Sequence, residues 1–492
     1  MNPTAEQAQA VELFRSGGSL VIEAGAGTGK TSTLVLIAED AGRRRGQYVA
    51  FNKALVTDSA GKFHSGVASN TAHSLAFRAV GRHFAHRLNG DRMPAWQLAK
   101  ALGIEPIHTT AFDGSPKTLT PTFLANHLKR AISQFCRTVD TEIGTPHFEY
   151  IDGLDQPSPE GMRTYVKNLE VRRALLPAAR ELWADLREPT GRLPFTHDIY
   201  LKLWQLGDPL IDASYILFDE AQDANPVIAD IVARQAIRGV QLVYVGDSQQ
   251  EIYGWTGAVN ALGTVRADNR TFLTQSFRFG QAVADRANEV LEDLDAVLRL
   301  TGNPAIDSTV GTVERPRAIL TRTNATGIRT LMTLQSAGIR PHYLGGSSDV
   351  LGFARAAEEL MTTGRTSHHD LACFDGWQAV QQYVKEDADG QDLALMVRLV
   401  DDFGTEAIVG ALGQMPPETT ADLVITTAHK AKGRQWESVQ LAPDFAPKPD
   451  KEGNLSIPSD AEQRLLYVAL TRAQLRLDMD AVDFALASAR DD

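Results

Sequence analysis

Cysteine is nearly absent: Cys136 and Cys373 are the two in 492 residues, and they stand far apart without further candidate ligands. That excludes a disulfide framework and a Cys-based zinc site. Long apolar runs are missing too, and nothing approaches the ~20 residues that cross a bilayer. The start, Met1-Asn2-Pro3-Thr4-Ala5-Glu6-Gln7, has neither the basic nor the apolar region of a signal peptide. A soluble, cytoplasmic or otherwise intracellular protein is expected. Low-complexity stretches and internal repeats are absent as well. Basic residues are in deficit, 49 Lys and Arg against 61 Asp and Glu for a net charge of −12. Taken alone this favours a function other than nucleic-acid binding, because affinity for a phosphate backbone comes largely from Lys and Arg. It does not exclude a local basic groove.

What is present is ordinary globular sequence, 43% apolar and 22% charged, in a chain too long for one core. Two or more domains are expected. Ser19-Leu20-Val21-Ile22-Glu23 reads as a buried strand running into Ala24-Gly25-Ala26-Gly27-Thr28-Gly29-Lys30-Thr31 and then the helical run Ser32-Thr33-Leu34-Val35-Leu36-Ile37-Ala38. Strand, glycine-rich loop and helix in that order make a phosphate loop. Backbone N–H groups at Gly25, Ala26, Gly27, Thr28 and Gly29 can cradle phosphates, Lys30 can reach the β and γ phosphates, and Thr31 can ligate magnesium. Ala24 stands where the strict pattern has its first glycine.

A second apolar strand, Tyr215-Ile216-Leu217-Phe218, ends in Asp219-Glu220-Ala221-Gln222-Asp223. Acids where a parallel strand meets the ligand crevice suit metal and water, Asp219 the first and Glu220 the second. In isolation they would serve equally as the favourable charge of a helix start. With a phosphate loop upstream the catalytic role is preferred. A third strand, Gln241-Leu242-Val243-Tyr244-Val245, delivers Gly246-Asp247-Ser248-Gln249-Gln250-Glu251-Ile252-Tyr253-Gly254-Trp255.

That last stretch resembles motif III of the UvrD/Rep/PcrA helicases, and the family's other motifs follow in order from residue 4 to about 473. Thr4 to Val11 resembles the Q motif, Phe51-Asn52-Lys53 motif Ia, and Thr71-Ala72-His73-Ser74 motif Ib. Gln275-Ser276-Phe277-Arg278 resembles motif IV, Thr427-Ala428-His429-Lys430-Ala431-Lys432-Gly433 motif V, and Glu462 to Ala473 motif VI. The resemblance implies catalytic roles for Lys30, Asp219, Glu220, Gln250, Arg278 and Arg472. It implies nucleotide contacts from Gln7, the loop residues Gly25 to Thr31, Ser32, Phe277 and Gly433, with Gln7 at the adenine edge and Phe277 stacked on the base. Thr31 and Asp219 would hold Mg²⁺. Phe51, Asn52, His73, Tyr253, Trp255, Thr427 and His429 would face DNA, the two large aromatics giving a sequence-blind stacking grip.

Three positions depart from the family: Ser32 and Thr256 where an arginine is usual, and Gln435 where a glutamate is. They bear on nucleotide selectivity and coupling rather than on hydrolysis itself.

The implied fold is α/β, two RecA-like P-loop NTPase lobes with parallel sheets flanked by helices and a mainly helical insertion. Residues 1–76 and 205–275 would form lobe 1A, 77–204 the insertion 1B, 276–346 and 420–492 lobe 2A, and 347–419 a reduced 2B-like helical segment. The expected activity is ATP- and Mg²⁺-dependent 3′ to 5′ translocation on single-stranded DNA with unwinding of tailed duplex, by a monomer serving replication or repair proteins. The alternative is a DNA-stimulated ATPase switch that remodels protein–DNA complexes without processive unwinding. The chain closes within 20 residues of Arg472, so a nuclease fusion of the RecB or AddA kind is not expected.

Overall fold

A parallel sheet covered on both faces needs central strands that are largely apolar, and this chain supplies them in two sets, Tyr215–Phe218 in one and Ala318–Thr321 in the other. The computed structural model describes residues 3–50, 53–59, 61–88, 93–156, 165–252, 261–345, 347–386, 391–447 and 458–483. Its strands are β1 (Leu20–Ala24), β2 (Gly46–Ala50), β3 (Val67–Thr71), β4 (Ile107–Thr110), β5 (Pro116–Leu119), β6 (Tyr215–Phe218), β7 (Gln241–Gly246), β8 (Asn269–Leu273), β9 (Thr309–Val310), β10 (Ala318–Thr321), β11 (Pro341–Leu344), β12 (Leu423–Thr427), β13 (Trp436–Leu441) and β14 (Ala473–Asp478).

The first sheet runs β3-β2-β6-β7-β1-β8 and the second β11-β12-β10-β13-β14-β9, every pairing parallel. Alternation along β2 shows how the first sheet is covered twice. Tyr48 packs with Phe14, Ile37 and Tyr215 on one face, whereas Val49 packs with Phe218, Val227 and Tyr244 on the other. The fold is thus α/β with two RecA-like lobes, as the helicase resemblance implies.

Between β3 and β6 the chain leaves the sheet and builds an insertion around the helices Pro121–Phe135, Val166–Arg187 and His197–Leu206. Pro121 sits in the first turn, where its missing N–H costs nothing, and Thr120 caps the Phe123 N–H. One part of the insertion is not helical: β4 and β5 pair antiparallel, with Asp113 closing the turn by accepting from Ser115 N–H. Short Thr-containing runs flanking an Asp-Gly turn favour such a hairpin.

After β11 come four helices, Ser347–Thr363, Trp377–Glu386, Gln391–Phe403 and Thr405–Gly413. They share one core with Tyr343, Leu423 and Ile425 of the second sheet. This segment also reaches the insertion: Lys117 Nζ lies 2.7 Å from Oδ1 of Asp375, on the connection before Trp377–Glu386, and Phe112 packs edge-on against Tyr383 at 5.1 Å. Both cysteines are buried and free. Among the described residues no helix is long and apolar enough to cross a membrane.

Candidate active site between the two lobes

The carboxyl ends of β1, β6 and β7 open on one cleft. From β1 the loop turns into the helix Lys30–Ala41, whose first residues carry free N–H groups. The turn needs glycine twice. Gly29 caps the helix in the left-handed conformation at φ 80°, and Gly27 lies at φ 76° with no room for a side chain: a Cβ there would stand 2.7 Å from Arg278 Cβ and from Ser276 Oγ. The Phe277 N–H donates to the Gly27 carbonyl at 2.8 Å, so the loop and segment 275–278 touch through backbone. Ser32 is exposed, while Thr28 is buried and donates to the Gly25 carbonyl.

Lys30 Nζ lies 3.4 Å from Glu220 Oε1, just beyond β6. Burial works against the charge on Lys30, but Glu220, Asp247 and Asp219 outweigh it and raise the ammonium above its ordinary value. Asp219 is buried. Its Oδ2 accepts from Tyr48 OH at 2.8 Å and from Thr31 Oγ1 at 3.2 Å. Burial and the adjoining Glu220 carboxylate push Asp219 up. Burial also opposes charge on Glu220, yet Lys30 and Lys432 hold it below the carboxylate range, which favours its ionised form. Its backbone sits at φ 52°, a strain of ~1–3 kcal/mol of the kind found at functional turns.

Among the described residues no group of three His, Cys, Asp or Glu side chains is arranged to hold a metal. A hydroxyl and one carboxylate are nevertheless what Mg²⁺ takes from a protein when phosphates and water complete its shell. Thr31 and Asp219 fit that requirement.

Cations face these acids from the other side. Lys432 Nζ donates to Asp223 Oδ1 at 2.6 Å and to the Gln250 carbonyl at 2.5 Å. Arg472, buried at the end of the helix Asp460–Leu470, donates from Nη2 to Thr471 Oγ1 at 2.9 Å and to Gln250 Oε1 at 3.4 Å. Arg278 donates from Nη1 to the Thr471 carbonyl at 3.0 Å, but its buried Nε has no hydrogen-bond partner. Burial lowers both guanidiniums, and the Arg278 charge lowers Arg472 further. Two adjacent cations, Arg472 buried and Arg278 half-buried with an orphaned donor, make an arrangement suited to an anion.

A flatter region adjoins the loop. Gln7, buried in the helix Ala5–Arg15, donates from Nε2 to Thr33 Oγ1 at 3.3 Å. Its Nε2 and the Phe277 ring edge each come within 3.4 Å of the Cβ position at Gly29, and the Phe277 ring is 46% exposed. An amide edge beside an open aromatic face suits a planar heterocycle.

The remaining candidates are more dispersed. His73 Nε2 lies 3.1 Å from Asp198 Oδ1 in the insertion. Thr427 ends β12 and precedes the short helix Ala428–Ala431, which carries His429, and Gly433 follows at φ 83°. Phe51, Asn52, Tyr253 and Trp255 lie outside the described residues. Three residues without an assigned role in the sequence prove central: Tyr48 on Asp219, Lys432 on Asp223, and Tyr467, whose hydroxyl bonds to Asp247. A tyrosine inside a fully buried strand was the available signal for Tyr48, because a buried phenol needs a partner.

A family model described as an AAA domain matches residues 7–256. The chain is similar to the F-box DNA helicase protein 1 of Schizosaccharomyces pombe, 30% identical over 524 residues, which cover 96% of this chain and 57% of that protein. It is similar to the F-box DNA helicase 1 of Gallus gallus, 30% identical over 508 residues, 96% of this chain and 48% of the relative. A shorter match joins it to the ATP-dependent DNA helicase PcrA of Staphylococcus aureus, 37% identical over 84 residues, 16% of this chain and 12% of the relative. The chain spans about half the length of the two F-box relatives.

Proposed function

Because the chain belongs to the UvrD/Rep/PcrA-like superfamily 1 DNA helicases, we propose that it hydrolyses ATP in the cleft between its lobes, moves 3′ to 5′ along single-stranded DNA and unwinds duplex. The observation carrying this reading is the meeting of two opposed sets of side chains. Lys30, Glu220 and Gln250 stand on one side, and Arg278 and Arg472 stand on the other around an unpartnered guanidinium nitrogen.

In this reading the loop N–H groups and Lys30 bind the phosphates, Glu220 takes a proton from the attacking water, and Gln250 contacts the γ phosphate. Arg278 and Arg472 stabilise the charge that develops during transfer, a contribution worth ~10³–10⁵ in rate for such arginines. Mg²⁺, held by Thr31 and Asp219, would neutralise charge on the phosphates. Gln7 and Phe277 take the adenine. Since hydrolysis needs both sets together, ATP binding closes the cleft and product release opens it.

The division into lobe 1A (1–76 and 205–275), insertion 1B (77–204), lobe 2A (276–346 and 420–492) and a reduced 2B-like segment (347–419) belongs to the same reading. So do the DNA contacts of Phe51, Asn52, His73, Tyr253, Trp255, Thr427 and His429. A strand-displacement assay on duplexes with a 3′ or a 5′ tail tests it, with ATP turnover followed with and without single-stranded DNA. Displacement from the 3′-tailed duplex alone is expected. DNA-stimulated turnover without displacement would leave an ATPase switch instead.

A further inference from the structure

Tyr467 lies on the helix Asp460–Leu470 of the second lobe and is fully buried. Its hydroxyl nevertheless serves the first lobe twice. It accepts from the Ala26 N–H in the phosphate loop at 3.2 Å, and it donates to Asp247 Oδ2, just beyond β7, at 3.0 Å. A phenol has one proton to give, and here it goes to a carboxylate, the stronger acceptor.

The same Asp247 oxygen accepts from Gln250 Nε2 at 2.6 Å, which turns the Gln250 carbonyl toward Arg472. An amide nitrogen carries two hydrogens. One given to Asp247 leaves the second for an acceptor in the cleft. The backbone carbonyl of Tyr467 also accepts from Thr471 Oγ1 at 2.8 Å, and Thr471 in turn accepts from both Arg278 and Arg472. One helical turn therefore presents the phenol and, just after it, the anchor of both guanidiniums.

We propose that Tyr467 is the positioning residue that couples closure of the cleft to the setting of Gln250. Separating the lobes breaks both of its hydroxyl bonds at once, leaving the Asp247 carboxylate free to turn and Gln250 without a fixed orientation. Closing them restores the phosphate loop, Asp247, Gln250 and the arginine anchor in one step. The inference rests on the reading of the cleft as an ATPase site.

Tyr467→Phe tests it with little threat to folding, because the ring stays and only the hydroxyl goes. The measurements are kcat and KM for ATP in the presence of single-stranded DNA, equilibrium binding of a non-hydrolysable ATP analogue, and the thermal midpoint. A fall in kcat of about tenfold or more is expected, the scale of one hydrogen bond made only in the assembled site, with analogue binding and thermal midpoint close to wild type. Asp247→Asn should give a similar loss, and the double variant should be little worse than either single one, since both break the same link. Wild-type kcat in Tyr467→Phe, a loss shared equally by analogue binding, or losses that multiply in the double variant would each overturn the proposal. A wild-type protein without ATP turnover would instead bring down the ATPase reading, and this inference with it.

Discussion

The two lobes feed one cleft in different ways. In the first, the proposed catalytic groups stand at the carboxyl ends of parallel strands: Lys30 after β1, Asp219 and Glu220 after β6, Asp247 and Gln250 after β7. In the second, Arg472 follows the last turn of a helix and precedes β14, and Arg278 follows β8 on the crossing segment. Strand ends hold their acids by backbone pairing on both sides. A helix end instead offers partial negative charge, which favours the arginine there by ~0.3–1 kcal/mol. The first lobe is thus an acidic, rigid face, and the second a basic face whose position depends on how the lobes meet.

Breaking the acidic face should have the largest effect. Lys30→Ala or Glu220→Gln should lower DNA-stimulated ATP hydrolysis about 10³-fold or more, while Glu220→Gln still binds ATP. Turnover retained in either variant would dissolve the distinction between the faces. Removing the basic face comes next. Arg278→Ala or Arg472→Ala should cut kcat about 10²-fold or more, with nucleotide affinity much less affected. An effect confined to KM would make these arginines binding groups only.

The fit between the faces can be tested without touching a charge. Gly27→Ala places a methyl 2.7 Å from Arg278 Cβ and imposes a left-handed conformation on alanine. A cost of ~1–3 kcal/mol and a thermal midpoint lower by a few degrees are expected, as measured by calorimetry. A silent substitution would mean that the loop and segment 275–278 are not held together in solution.

The smallest effect lies away from the cleft. His127 of the insertion is fully buried, its ring nitrogens unbonded, with Phe123, Phe148 and His369 around it. Burial, with the nearby His369, Arg172 and Arg130, pushes it down to about 3. The unfolded chain takes this proton as pH falls through ~6.5, but the folded one does not until near 3. Stability should therefore drop as pH falls across that window, by about 2 kcal/mol between pH 7 and 5 from this group. His127→Phe should flatten that slope in urea unfolding at the two pH values. Equal slopes would show that His127 does not stay neutral on folding.

The first lobe was easy to read because its signals are local: an apolar strand, then the residues that act, within ten positions. The second lobe was legible mainly through resemblance, since Arg278 and Arg472 are 194 positions apart in number and acquire meaning only when Thr471 joins them. The roles of Tyr48, Lys432 and Tyr467 lay in partners 171, 209 and 220 residues away, which no spacing rule reaches. The β4–β5 hairpin escaped for the opposite reason. Four-residue strands are too short to impose a period on a helical stretch.

The order of strands in the first sheet also bears on how the chain is made. Leu20 of β1, which precedes the other strands of its sheet in the chain, pairs with Val243 on one side and Asn269 on the other. At a ribosomal pace of ~5–20 residues per second, β1 waits roughly ten to fifty seconds for its neighbours. Throughout that interval an apolar segment with open edges hangs from the nascent chain, and the insertion is incomplete with it, because its core is continuous with Ile216, Phe218 and Tyr244 of the later strands. The lobe that carries the phosphate loop is begun before the insertion and completed only after it, so conditions that slow synthesis or deplete holding chaperones should be felt as loss of soluble protein.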